Sequence, residues 1–269
     1  MALTALHSAA TGLSAQSMAL DVIANNLANS NTDGFKSSRV NFQDLLYIEK
    51  ATAVTENANG DRRPTGLYIG LGTKVSGTQI DFTQGAARPT ERELDIMIDG
   101  IGFFQVQIDD STGDGVGYTR AGNLTRNEDG ELVLATDQGR RLIPNIVIPD
   151  DALQISISPD GVVSVELPAQ TEPSQVGTIE LATFINPTGL KHVGENLYIP
   201  TAASGDPLVG DPGEDGRGRI LQGFLESSNV EPVIELVNLI RTQRAFELNS
   251  QSIQAADEVL QQVGNLRRF

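Results

Sequence analysis

Histidine occurs twice in this 269-residue chain, at His7 and His192, and cysteine does not occur. A Ser-His-Asp constellation would have to recruit one of those two imidazoles, and thiolate nucleophiles and thiolate metal sites are excluded. His7 falls inside a helical pattern. His192 lies in Gly189-Leu190-Lys191-His192-Val193-Gly194, which reads as a turn, and neither histidine has a second one at metal-ligand spacing. Gly70-Leu71-Gly72 begins like a dinucleotide loop, but no third glycine follows at the required spacing and no helix opens after it. Asp211-Pro212-Gly213-Glu214-Asp215-Gly216 combines carboxylates with glycines without the spacing of a calcium loop. Like Asp109-Asp110 and Asp150-Asp151 it reads as solvated charge beside turns. Asn123-Leu124-Thr125 matches a glycosylation acceptor, a pattern too short to carry an argument. These residues do not converge, so the expectation is a protein that is not an enzyme and uses no cofactor or metal.

Charge narrows the remaining classes. The formal net charge of −16 and pI near 4.4 oppose binding to nucleic acid, whose phosphates would be repelled, and to anionic membrane surfaces. No run of about 18 apolar residues predicts a membrane span. The N-terminus lacks a basic segment followed by an apolar one, so no cleavable signal is expected.

The elements explain more than the reactive groups do. Leu6, Leu13, Leu20 and Leu27 fall seven apart, with Ala10 and Ala24 between them, which predicts a helix from residue 2 to about 30, roughly 43 Å long. The first 32 residues contain a single formally charged side chain, Asp21. A surface helix normally keeps a charged face towards water; this one has an uncharged polar remainder, as a helix ringed by protein would. The stretch Asn25-Asn26-Leu27-Ala28-Asn29-Ser30-Asn31-Thr32-Asp33-Gly34 ends the pattern, because such side chains compete for backbone hydrogen bonds and Gly34 frees the exit. Residues 35–47 read as an extended arm or a short helix, and 49–66 as a long polar loop. From Tyr68 the period becomes that of strands. Leu94, Ile96 and Ile98 alternate with Asp95 and Met97, and Gly100-Ile101-Gly102 turns into Phe104, Val106 and Ile108. Asn127-Glu128-Asp129-Gly130 reads as a hairpin turn. Ile155 and Ile157 should face Val163 and Val165 across Pro159-Asp160-Gly161. Thr178–Ile185, Leu197–Ile199 and Leu221–Leu225 read as further strands. Ser227-Ser228-Asn229 and Pro232 suit a helix start, after which Leu239, Phe246, Ile253 and Leu260 again fall seven apart, with Ala256 and Val263 beside them.

The predicted fold class is α+β: long N- and C-terminal helices packed as a coiled coil, with an all-β domain inserted between them. The expected divisions are 1–32 with 226–269 (helical), 33–67 with 201–225 (extended connection) and 68–200 (β domain). Two stripes could form a two-helix stalk within one chain, but the scarcity of charge in residues 1–32 favours packing among many subunits.

Three stretches together resemble the axial proteins of the bacterial flagellum, its rod and hook proteins. They are Asp21–Asn29 through Gly34-Phe35-Lys36; Gly100-Ile101-Gly102-Phe103-Phe104-Gln105-Val106 with Tyr118-Thr119-Arg120-Ala121-Gly122; and Leu221–Leu266, including Ser228-Asn229-Val230 and Gln243-Arg244-Ala245-Phe246-Glu247. Gly194-Glu195-Asn196-Leu197-Tyr198 adds to the likeness, and length and order resemble the distal rod members. The resemblance implies a structural subunit that polymerises into a straight hollow driveshaft, transmits torque from motor to hook and forms part of the export channel. It implies export through the flagellar type III apparatus and location in the basal-body rod crossing the periplasm. The implied partners are further copies of the chain, proximal rod proteins, the hook protein or hook-side junction, and the P and L ring proteins. A proximal rod or hook subunit is the related alternative. A secreted oligomeric β-domain binding module is the alternative from another class. Subunit packing is expected at Leu6, Leu13, Leu20, Asn25, Asn26, Leu27, Asn29, Leu239, Phe246, Ile253 and Leu260, and Leu20→Glu is expected to block polymerisation while the β domain stays folded.

Overall fold

The computed structural model describes residues 2–52, 65–109, 115–168 and 172–266. Most of the predicted polar loop, Asp110 and the side chain of Val263 lie outside the described residues. The chain has an N-terminal helix, a central all-β region and a C-terminal helix, and the two helices pack against each other. It divides into two compact units. Unit 1 comprises Met1–Ala28, Ser38–Gln79 and Glu231–Phe269; unit 2 comprises Asn29–Ser37 and Ile80–Val230.

In unit 1, α1 runs Ala2–Ala28 and α2 runs Pro232–Leu266. α1 is rich in Ala and Leu and α2 in Leu, Gln and Glu, all good helix formers. α1 stops within the Asn-rich stretch, after Ala28, and α2 opens on Pro232, whose missing N–H costs nothing in a first turn. Residues 35–47, ambiguous in sequence, supply a strand, Ser38–Asp44, rather than a helix; it pairs with Thr73–Ile80 and packs on α1. A hairpin pairs Tyr47–Ala51 with Leu67–Gly70, and Tyr47 lies against Gly70, its partner in the register.

Unit 2 is built on a seven-stranded sheet. Its path runs Lys191–Gly194, Leu197–Ile199, Val116–Thr119, Phe103–Gln107, Leu181–Thr183, Leu208–Gly210, and Leu142–Ile143 joins it beside Phe103–Gln107. A three-stranded sheet of Gln154–Ile157, Val162–Glu166 and Ser174–Thr178 packs its Ile157, Val163 and Val165 into the same aliphatic core as Ile96, Phe104, Leu132 and Leu181. Each such side chain contributes about 1.5–3 kcal/mol when fully withdrawn from water. A second cluster is aromatic, with Phe103, Tyr118, Phe184 and Tyr198 meeting edge to face at centroid separations of 4.9–6.0 Å.

The local turns form as expected. Ile155 faces Val165 and Ile157 faces Val163, and Gly161 takes φ +84° in the turn. Leu132 faces Arg126 across the Asn127–Gly130 turn. Several expectations are corrected. Gly100-Ile101-Gly102 turns the chain between two strands that do not pair with each other: Ile96–Asp99 pairs with Arg219–Gln222, while Phe103–Gln107 enters the large sheet. Met97 and Asp95 are buried as well as Ile96 and Ile98, because both faces of this strand are covered. Thr178–Ile185 is not one strand; Ile179 donates to the Gly161 carbonyl, which separates Ser174–Thr178 from Leu181–Thr183. Leu221–Leu225 breaks at Gly223 (φ +79°) into the ends of two strands, Arg219–Gln222 and Phe224–Glu226. His192 lies in a strand, not a turn, exposed to solvent with its ring 4.9 Å from that of Tyr198.

Candidate assembly surface

The pairing of α1 with α2 is antiparallel. Asn26 Nδ2, in the last two turns of α1, donates to Glu235 Oε1 in the first turn of α2 at 3.2 Å. Towards the other end of α1, a Cβ placed on Gly12 would stand 3.0 Å from Asn249 Nδ2. Fourteen residues separate 12 from 26 and 235 from 249, so the register holds over two heptads.

Among the described side chains of α1, those that are buried are small or polar: Gly12, Ala15, Ala19 and Asn26. Leu6, Leu13, Leu20 and Leu27 are half-buried, and Ala10 and Ala24, read as part of the stripe, are exposed. On α2, Leu239, Phe246 and Ile253 are half-buried, and Leu260 is exposed. A second row, Glu235, Thr242, Asn249 and Ala256, is half-buried beside them. Its spacing of seven was visible in the sequence, but its polarity hid it. Asn25 is exposed; Asn29 is half-buried and accepts from Thr32 Oγ1 at 3.2 Å.

Asn26 is the most completely held of the predicted site residues. It is 1% exposed, its Nδ2 donates to the Ser38 carbonyl at 2.8 Å, and its Oδ1 accepts from the Ser38 N–H at 3.0 Å. It thereby ties the strand Ser38–Asp44 to the end of α1. At the other end His7 Nδ1 lies 3.0 Å from the Leu71 carbonyl, and Thr11 Oγ1 accepts from the Thr73 N–H at 3.4 Å. A cavity of about 310 Å³ opens among α1, α2 and this strand, lined by Ala19, Val22, Ile23, Val40 and Phe42 with Arg241 at its rim.

The strongest apolar feature of α2 faces away from this seam. Val233, Leu236, Val237 and Ile240 recur at i, i+3, i+4 and i+7, one helical stripe, and are 74%, 46%, 42% and 49% exposed. Contiguous exposed apolar surface marks an interaction site. Spacing in the sequence pointed to the 239/246/253/260 row as the seam and did not single out this stripe. Its periodicity is as clear, and only burial distinguishes the two.

Charge is divided as sharply. Unit 1 carries nine Lys and Arg against ten Asp and Glu, a net of −1, whereas unit 2 carries ten against twenty-five, a net of −15. The unit that presents the apolar stripe is close to neutral, so its copies could pack without mutual repulsion. Among the described residues no group of three or more His, Cys, Asp or Glu is placed to hold a metal ion, and no helix is long and apolar enough to cross a membrane.

Family models match three parts of the chain: the flagella basal body rod protein at 6–36, the flagellar hook protein FlgE/F/G D1 domain at 97–165, and the flagellar basal body rod FlgEFG protein C-terminal region at 221–266. The flagellar basal-body rod protein FlgG of Borreliella burgdorferi is 43% identical over 98% of both chains. The chain belongs to the flagellar basal-body rod protein family. Within one organism, Caulobacter vibrioides, the FlgG protein is 43% identical over 98% of this chain, and the FlgF protein 33% over 85%. The likeness is therefore greater to the FlgG branch of the rod family than to the FlgF branch. The matches at 6–36 and 221–266 cover most of both helices whose packing defines the exposed stripe.

Proposed function

We propose that the protein is a structural subunit of the distal rod, polymerising into a straight hollow shaft that passes torque to the hook and encloses part of the export channel. The observation that carries this reading is the exposed stripe Val233–Leu236–Val237–Ile240 on a nearly neutral helical unit. The buried residues of α1 are small or polar and Asn26 meets Glu235 of α2, while Val233, Leu236, Val237 and Ile240 stay exposed, so this apolar surface is left for neighbouring copies. The Leu6–Leu27 and Leu239–Leu260 rows, with Asn25, Asn26 and Asn29, then pack both within and between subunits. The acidic β unit would keep assembled shafts from sticking to one another, since like charge opposes association.

On this reading the subunit is exported by the flagellar type III apparatus, lies in the rod across the periplasm, and meets proximal rod proteins, the hook side and the P and L rings. The similarity to FlgG proteins supports the distal assignment. Electron microscopy of the purified full-length protein at high concentration tests it. Straight tubes are the expected product. Curved tubes would assign a hook-type role, and small closed oligomers alone would overturn the polymer reading.

A further inference from the structure

The chain enters or leaves unit 2 at four places: at Asn29, after Ser37, at Ile80 and after Val230. Within unit 2, the segments at these places converge on one buried charge cluster. Lys36 Nζ lies 2.6 Å from Glu226 Oε1, and both side chains are 0% exposed. Lys36 also donates to the Thr83 carbonyl at 2.7 Å, and Glu226 Oε1 accepts from the Gly85 N–H at 2.9 Å. Arg120 Nη1 stands 3.6 Å from Glu226 Oε2, and that oxygen has no hydrogen-bond partner among the described residues. Bonds to the backbone close the knot: Gly34 N donates to the Glu226 carbonyl at 2.7 Å, Ser37 N to Asn229 Oδ1 at 2.7 Å, and Asn229 Nδ2 to the Asp81 carbonyl at 2.8 Å.

The charges of this cluster are unequal in number. Two cations, Lys36 and Arg120, share the carboxylate of Glu226; Asp81 also acts on Lys36, but from an exposed position. Burial lowers the pKa of both cations, and Glu226 opposes the shift. Arg120 has other partners, the Gly100 carbonyl at 2.7 Å and the Phe103 ring at 5.6 Å, but these are dipoles and a quadrupole, not a counter-charge. A buried charge without its partner is far more costly than the intact pair is beneficial. Glu226 sits on the last strand of the unit, 190 residues after Lys36.

We propose that Glu226 is the closing latch of unit 2. Lys36 and Arg120 cannot settle into the interior until the strand Phe224–Glu226 arrives with their counter-charge, so the unit does not reach its native state on the residues that precede it. A chain delivered from its N-terminus therefore stays open until nearly the whole of unit 2 has emerged. That consequence rests on the export reading above, whereas the latch itself does not.

Amide hydrogen exchange on the full-length chain tests the latch without reference to polymerisation. Glu226→Leu should lower protection throughout the core strands Ile96–Asp99, Phe103–Gln107 and Val116–Thr119 on the order of a hundredfold or more. Lys36→Met leaves Arg120 paired with Glu226 and should cost markedly less. The triple variant Lys36→Met, Arg120→Met, Glu226→Leu should recover most of the protection. Loss confined to the amides around residue 226, equal loss in Lys36→Met and Glu226→Leu, or failure of the triple variant to recover would each overturn the latch. Absence of tubes from the wild-type chain, with the exchange pattern of the variants as expected, would count against the polymer reading alone.

Discussion

The amide of Asn26 reaches the Glu235 carboxylate at 3.2 Å and brackets the Ser38 backbone with bonds of 2.8 and 3.0 Å, so one side chain joins α1, α2 and the strand that follows α1. Leucine has the same branched shape, with two methyl groups in place of the amide oxygen and nitrogen, but cannot bond. Asn26→Leu would leave the half-buried Ser38 N–H and C=O without this partner, at a cost of about 1–3 kcal/mol. Urea unfolding of the unpolymerised protein, followed by far-UV circular dichroism, should show that loss in the helical transition. An unchanged midpoint would mean that water replaces the amide without cost.

The exposed stripe of α2 separates folding from assembly better than the seam does. Ile240 is 49% exposed. Ile240→Asp should change the stability of the isolated chain by less than about 0.5 kcal/mol and abolish tube formation, because each neighbouring contact would bury an unpaired carboxylate. Leu20→Glu is the blunter tool: Leu20 is half-buried within the helical unit, so the charge would damage the subunit as well as the polymer. Tubes of normal length from Ile240→Asp, seen by negative-stain microscopy, would place the interface elsewhere.

What could be seen in the sequence follows the range of the interactions. Hairpins closed by Pro159-Asp160-Gly161 and Asn127–Gly130 carry their signal within ten residues, so both turns were readable, and for the first the facing residues as well. The partner of Ile96–Asp99 was not, because Arg219–Gln222 lies over a hundred residues away and nothing local encodes that pairing. On α1, leucines at spacing seven are conspicuous in the sequence, whereas Gly12, Ala15 and Ala19, which are more buried than those leucines, look like filler. Glu226 could not be recognised as buried, since a glutamate before two serines has the composition of a loop, and its partner cations stand at positions 36 and 120.

Gly122, within one of the stretches that carry the rod-family resemblance, is fixed by space. A Cβ there would run into the carbonyl of Ile96, whose N–H is bonded to the Gly122 carbonyl at 3.0 Å. Backbone cannot yield as a side-chain tip can, so Gly122→Ala should destabilise unit 2 by about 3 kcal/mol. Gly77 is the matched control: nothing lies within 4 Å of the place its Cβ would take, and Gly77→Ala should be neutral or mildly stabilising. Differential scanning calorimetry of the two variants would decide the matter. Equal behaviour would show that the strand Ile96–Asp99 can shift to admit the methyl group.

Glu131 gives unit 2 an acid-sensitive point. Asn127 Nδ2 donates to Oε2 at 2.9 Å, Asn145 Nδ2 to Oε1 at 2.8 Å, and Arg141 Nε lies 2.9 Å from Oε2. The Asn127 bond first, then the Asn145 bond, hold the carboxyl pKa below its ordinary value, and Arg141 acts in the same direction. A carboxyl whose pKa is lower folded than unfolded binds protons more weakly in the native state. Its stabilisation is therefore complete above the unfolded value, about 4.3 for glutamate, and is lost as pH falls from there through the depressed folded value. Glu131→Gln removes that dependence. The difference in melting temperature between wild type and Glu131→Gln should be constant near neutrality and shrink on acidification below the ordinary glutamate range. A difference that widened towards acid pH would show that the neutral acid, not the carboxylate, is the form the Asn127–Asn145 cradle prefers.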